Sequence, residues 1–299
     1  MSYNKIDKLK GVITAMITPF KEDFSIDESQ YRKFIRFQVE NGCHILTTGT
    51  TGESATLSHE EHHYAIDIAV DEVKQTGKAP LLIAGTGSNS TKEAISLSQY
   101  AEKAGADMLL LVVPYYNKPA QHSLIEHFSV IAGSVSLPII LYNVPSRTGT
   151  NLEPETVAKL ANSKENIIGM KCASGNIDQI TKVIKNTPDN FIVLSGDDVL
   201  TFHIMALGGK GVISVASNII PSKMVDFINT MLNNEWEKAR AMQFQLYDLF
   251  KILFIETNPG PVKFAAELKG IMNKRMRLPL TPPLEENQKK IKNVLEKLI

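Results

Sequence analysis

Lys171 stands inside Ile167-Ile168-Gly169-Met170-Lys171-Cys172-Ala173, an otherwise apolar run of strand type. An ammonium in such a run is costly to bury unless it is paired. Burial favours the neutral amine, and a neutral amine attacks carbonyl carbon to form an imine. With an ordinary pKa of ~10.4, only about one lysine in 2,500 is neutral at pH 7, so burial changes the chemistry open to this side chain. A lysine that snorkels to the strand end, or pairs with Asp or Glu, is the structural alternative.

Three further apolar runs end in groups that suit such an amine. Gly49-Thr50-Thr51-Gly52-Glu53-Ser54 places two hydroxyls and two glycines just before a helix. Hydroxyls and backbone N–H groups there can hold a small carboxylate, although a plain glycine turn has a similar composition. Tyr142-Asn143-Val144-Pro145-Ser146-Arg147 supplies a phenol at a strand end and a guanidinium just beyond it. Pro114-Tyr115-Tyr116-Asn117 supplies two more phenols, an arrangement that packing alone also produces.

Two other motifs carry less. His59-Glu60-Glu61-His62-His63 matches H-E-x-x-H, with His59 and His63 one helical turn apart as a zinc hydrolase needs. It follows a capping serine in the first turns of an outer helix, where a solvated face explains it, so no metal site is expected. Gly85-Thr86-Gly87 opens a dinucleotide-type pattern, but Ser90 stands at the third glycine position and no acidic residue follows the next strand as it should.

These groups need elements to position them, and the chain repeats one phrase. A short apolar run ends in Gly, Pro, Ser or Asn, and a stretch of helical period follows. The runs are Val12–Phe20, His44–Gly49, Pro80–Gly85, Met108–Pro114, Leu137–Val144, Ile167–Ala173, Phe191–Gly196 and Gly211–Ala216. Helical patterns lie between them, as in Tyr31–Glu40, Tyr64–Lys74, Lys92–Lys103 and Leu124–Ala132. Eight continuous apolar strands alternating with helices predict a parallel sheet, best closed as an α/β (β/α)8 TIM barrel. Capping boxes are expected at Ser25/Glu28, Ser58/Glu61 and Ser90/Glu93, and left-handed glycine caps after Asn41, Ala104 and Gly208. After Asn234 the strands stop, and Trp236–Phe254, Pro261–Lys269 and Leu284–Leu298 read as helices. Residues 1–234 are therefore expected to form the catalytic barrel and 235–299 a small C-terminal helical domain. Barrel chemistry gathers at the C-terminal ends of the strands.

Composition excludes several classes of function. The 299 residues carry 32 basic and 32 acidic side chains, leaving no charge footprint for nucleic acid or anionic membrane. The longest apolar stretch, Met108–Pro114, is far short of a membrane span, and residues 1–10 lack the apolar core of a signal peptide. The two cysteines, Cys43 and Cys172, form no C-x-x-C pair, which fits reduced thiols in a cytoplasmic protein.

Taken together, Gly49–Ser54, Tyr115-Tyr116-Asn117, Tyr142–Arg147, Gly169-Met170-Lys171, Ser195-Gly196-Asp197-Asp198 and Gly211–Val215 resemble the dihydrodipicolinate synthase family, within the N-acetylneuraminate lyase and class I pyruvate aldolase superfamily. The resemblance runs from about Gly11 to beyond Lys263. It implies condensation of pyruvate with L-aspartate 4-semialdehyde to 4-hydroxy-tetrahydrodipicolinate, in lysine and diaminopimelate biosynthesis. Lys171 would form the imine, and Tyr142 would relay protons to solvent through Thr50 and a Tyr116 donated by a neighbouring subunit. Thr51 would grip the pyruvate carboxylate and Arg147 that of the semialdehyde, with Gly196 and Ile213 also in the substrate site. No metal or organic cofactor is implied.

The family is commonly a homotetramer, a dimer of dimers. In its lysine-inhibited members the inhibitor binds through residues matching Ser54, Ala55, His59, His62, Asn89 and Glu93, all present here. Sister sugar-acid lyases share the lysine and the tyrosine. They often carry Ser where Thr50 stands and commonly lack Arg at the position of Arg147. An intact Lys171, Tyr142 and Thr50 argue against a barrel that only binds. One departure is Cys172, where synthases usually carry an acidic or another small residue. Strand alternation should turn it away from Lys171.

Overall fold

The eight apolar runs become eight short strands: β1 (Gly11–Ala15), β2 (His44–Thr47), β3 (Leu82–Gly85), β4 (Met108–Val112), β5 (Ile139–Asn143), β6 (Ile167–Cys172), β7 (Ile192–Ser195) and β8 (Gly211–Ser214). The structure, a computed structural model, describes residues 3–298. The strands follow one another in chain order around a closed barrel, as the repeated phrase predicts. Nearly every strand residue is buried, with no alternation, because both sheet faces are covered. The ladders stop sooner than the apolar runs do. Met16, Ile17 and Phe20 continue the first run at 0–1% exposure but lie beyond β1, so burial outlasts strand pairing there.

Helices Glu28–Glu40, His59–Gln75, Thr91–Ala104 and Gln121–Ala132 begin one to five residues ahead of their predicted stripes, because a polar first turn belongs to the helix as well. Ser58 closes a full capping box with Glu61 (3.2 and 3.0 Å). Ser90 supplies half of one, since the Glu93 carboxylate takes the Ser88 hydroxyl instead. The box expected at Ser25 does not form. Asp27 caps that helix by accepting the Gln30 N–H (3.0 Å), while Ser25 turns its hydroxyl to Asp23 (2.6 Å). A carboxylate nearer the helix start wins the cap.

The chain framework comprises two compact units. One holds the N-terminal residues to Lys10 together with Leu81–Ile213; the other holds Gly11–Pro80 and Ser214–Ile299. In the first, parallel register sets Val112, Tyr142, Lys171 and Leu194 side by side in one row across β4 to β7. The second contains β1, β2 and the C-terminal helices Trp236–Ile252, Gly260–Leu268 and Glu285–Leu298. A satisfied polar network lies inside it. Thr14 donates to Gln38 Oε1 (2.8 Å), Gln38 Nε2 to the Ser217 carbonyl (3.1 Å), and Asn218 Nδ2 to the Ala15 carbonyl (2.9 Å). Buried polar groups paired in this way fix register rather than merely fill space.

Candidate active site

Lys171 lies near the end of β6 at 6% exposure, with Tyr142 beside it on β5. Its Nζ stands 4.1 Å from the centroid of the Tyr142 ring. Burial pushes the amine down to about 7; the Asp198 carboxylate partly opposes the shift and Arg147 adds to it. An appreciable share of the amine is therefore neutral near neutral pH, the state in which it is a nucleophile.

Gly196, just past β7, is closely packed. A Cβ there would lie 3.1 Å from both Lys171 Cε and the Cys172 carbonyl oxygen. Ile213 is buried on β8 (1% exposed). Cys172 is also buried, its Sγ 3.3 Å from the Ser174 hydroxyl, and burial raises its thiol above the usual range. It serves as a small apolar neighbour rather than a reactive thiol.

Arg147 sits exposed in the short helix Pro145–Thr148 directly after β5, so the proline-started turn sets the guanidinium just beyond the strand that carries Tyr142. Tyr116, in the loop after β4, has φ 74° and is 89% exposed. Its left-handed backbone is held by a bond from the Asn117 N–H to the Tyr115 carbonyl (2.9 Å) and one from its own N–H to Thr148 (3.4 Å). Asn89 Nδ2 donates to the Tyr115 carbonyl (3.1 Å), and Asn117 Nδ2 returns a bond to the Asn89 carbonyl (2.9 Å).

After β2 the predicted turn forms as a 3-10 helix, Thr50–Gly52, with Thr50 half-buried and Thr51 4% exposed. Gly52 presses against the first strand's continuation: a Cβ there would meet the Met16 carbonyl at 3.0 Å and Thr18 Oγ1 at 3.1 Å. Thr18 also donates to the Gly52 carbonyl (2.7 Å). Glu53, left-handed at φ 58°, then links to a second turn, Ser54–Thr56.

The six residues matched to inhibitor binding are distributed as follows. Ser54 and Ala55 lie in the second 3-10 turn, half-buried and exposed respectively. His59 is exposed at the start of its helix, whereas His62 is buried at 5%. Asn89 precedes the helix Thr91–Ala104, whose first turn holds Glu93, and the Glu93 carboxylate accepts the Ser88 hydroxyl. The acids of the H-E-x-x-H match are engaged at their own helix start: Glu60 takes the Ser58 hydroxyl (2.8 Å), and Glu61 closes the box and binds Arg277 Nη1 (2.7 Å). Among the described residues no group of three His, Cys, Asp or Glu gathers to hold a metal ion.

Three contributors escaped the sequence reading. Asp198, 2% exposed, acts on Lys171 through charge, although its motif was legible. Asn258 Nδ2 donates to Thr51 Oγ1 (3.0 Å) from a segment that reads as a mere separator between helices. Lys263 forms an ion pair with Glu53 in which both side chains are fully buried. The signal for Lys263 was available: it stands in Val262-Lys263-Phe264-Ala265-Ala266, the same lysine-in-apolar-run pattern that marks Lys171.

The model of the dihydrodipicolinate synthetase family matches residues 8–298. The chain is similar to the 4-hydroxy-tetrahydrodipicolinate synthase of Methanopyrus kandleri, with 51% identity over 293 residues and 97% of each chain covered. It is similar in structure to dihydrodipicolinate synthase from Aquifex aeolicus, with TM-score 0.94 at 47% identity over 97% of this chain and 98% of that one. It is also similar to dihydrodipicolinate synthase from Cyanidioschyzon merolae with lysine bound, with TM-score 0.94 at 39% identity over 97% and 98%. A match that spans the barrel, the Lys171 strand and the C-terminal helices leaves one conclusion: the chain belongs to the dihydrodipicolinate synthetase family.

Proposed function

We propose that this chain condenses pyruvate with L-aspartate 4-semialdehyde through a lysine imine, giving 4-hydroxy-tetrahydrodipicolinate for lysine and diaminopimelate biosynthesis. The observation that carries the proposal is Lys171, buried at a strand end with its amine depressed to about 7 and facing Tyr142 at 4.1 Å. Its amine adds to the pyruvate carbonyl, and loss of water gives the imine. Removal of a methyl proton then leaves an enamine, with the imine nitrogen as the electron sink. The enamine carbon bonds to the aldehyde carbon, whose oxygen takes up a proton. The amino group of the former semialdehyde finally attacks the imine carbon, closes the ring and releases the Lys171 amine. One water leaves per turnover, and the chemistry calls for neither metal nor organic cofactor.

Tyr142 relays the protons, through Thr50 and a Tyr116 contributed by a neighbouring subunit. The exposure and backbone of Tyr116 support that role, since the residue is 89% exposed. Thr51 grips the pyruvate carboxylate, Gly196 and Ile213 line the same substrate, and Arg147 binds the semialdehyde carboxylate with its planar fork. The assembly this requires is at least a dimer, and a dimer of dimers accommodates it. The barrel of residues 1–234 carries the chemistry and the helices of 235–299 support it. Two buried free thiols fit a cytoplasmic setting, and no described helix is long and apolar enough to cross a membrane.

Borohydride reduction with pyruvate, read by mass spectrometry, should label Lys171, and a coupled reductase assay should show turnover of the semialdehyde. Labelling without that turnover would move the assignment to a sugar-acid lyase; no labelling would sink the imine. Lysine as feedback inhibitor is part of the proposal, supported by Ser54, Ala55, His59, His62, Asn89 and Glu93. Lysine titrated into the assay should lower turnover, and Glu93→Gln should relieve that inhibition. Unchanged inhibition in this variant would remove Glu93 from the site.

A further inference from the structure

We infer that Asn258 is a positioning residue for Thr51: it fixes the direction in which the threonine hydroxyl proton points, in a turn clamped from the same segment by the Lys263–Glu53 pair. The inference rests on the proposal that Thr51 grips the pyruvate carboxylate.

Asn258 and Thr51 are each 4% exposed, and the Asn258 amide nitrogen lies 3.0 Å from Thr51 Oγ1. An amide NH₂ can only donate, whereas a hydroxyl has one O–H and two acceptor lone pairs. With a lone pair taken by Asn258, the Thr51 O–H is the group left to turn outward. A carboxylate only accepts, so this polarity is the one that binds it. The reverse polarity would set a lone pair against the anion.

The turn holds its place because its far side is anchored. Glu53 directs Oε1 to Lys263 and accepts the Arg277 N–H on Oε2 (3.0 Å). Lys263 donates a second bond to the Arg275 carbonyl (2.6 Å) and stands 4.4 Å over the Phe20 ring. Gly52, between Thr51 and Glu53, packs so closely that a Cβ there would lie 3.0 Å from the Met16 carbonyl oxygen. Asn258 lies two residues before the helix Gly260–Leu268 that carries Lys263, so one stretch of chain sets both the polarity and the position of the turn.

Asn258→Ala and Asn258→Asp in the full chain test this. Aspartate keeps the shape but can only accept, so it draws the Thr51 proton inward and adds a negative charge. Borohydride trapping at graded pyruvate concentrations is the first measurement, with steady-state kinetics and melting temperature beside it. Half-saturating pyruvate should rise about tenfold in Asn258→Ala, the scale of one weakened hydrogen bond to a charged group, and further in Asn258→Asp. Turnover at saturating pyruvate and the KM for the semialdehyde should stay within about twofold of the native values, because the bond acts on one carboxylate only. An Asn258→Asp variant that melts near the native temperature and traps pyruvate at native concentrations overturns the assignment alone. Equal losses of turnover and pyruvate binding in both variants, in step with lowered melting temperatures, also overturn it, since that is a plain structural role. A native chain that traps no pyruvate overturns the functional proposal and this assignment together.

Discussion

Lys171 and Lys263 are the same residue type, both almost sealed from water, and the structure gives them opposite surroundings. Lys263 is ion-paired with Glu53, donates to a backbone carbonyl and lies over Phe20; burial lowers its amine to about 8 against the pull of Glu53. Lys171 faces the ring of Tyr142, and its amine falls further, to about 7, with Asp198 acting through charge. Burial depresses both; the carboxylate each one meets decides its use. A lysine locked to a carboxylate holds the chain in place, and one kept off it can attack a carbonyl.

Substitution should separate the two lysines. The largest effect is expected from Lys171→Met, which should abolish pyruvate trapping and cut turnover by on the order of 10⁴-fold or more while leaving the melting temperature unchanged or higher. A variant that unfolds would make Lys171 a structural residue and end the contrast. Lys263→Met should do the opposite. It leaves the buried Glu53 carboxylate without its cation and should cost about 3–5 kcal/mol in denaturant unfolding. The double variant Glu53→Gln/Lys263→Met should recover most of that loss, and a double variant no better than the single would show that the pair is not a unit.

The smallest effect is a shift in pH dependence. With the Lys171 amine pushed down to about 7, lowering the pH below that value protonates it. The trapping rate at low pyruvate should then fall about tenfold per pH unit below the midpoint and level off above it. Asp198→Asn removes an attraction that raises the amine, so the midpoint should move to lower pH. Arg147→Gln removes a repulsion and should move it higher. A midpoint near 10 in the native protein would contradict the buried neutral amine.

The same contrast explains how much was legible in the sequence. The eight runs and the order of the barrel could be read directly, because strands covered on both faces leave long apolar signatures. Lys171 was conspicuous for the same reason: in such a strand no polar face exists to excuse a lysine. Lys263 stands in a similar apolar run, but its helical setting makes that signal weaker. One polar residue at helical period ordinarily marks a solvated face, yet this helix is buried on every side from Gly260 through Ala266. Asn258 was missed because Asn-Pro-Gly-Pro has the composition of a linker, and its contact with Thr51 joins positions far apart in the chain. At Ser25 a local motif misled, since Asp27 offered the better cap.

Tyr116 has a consequence for anyone who engineers this protein. Its backbone sits at φ 74°, where a side chain with a Cβ is strained, and the residue is 89% exposed. Glycine there would relieve about 1 kcal/mol of strain and give up little packing within its own subunit. A screen that rewards heat tolerance alone would therefore discard this tyrosine early. It would thereby erase the group on which the proposed proton path to solvent depends, and the hardier protein would be the slower one.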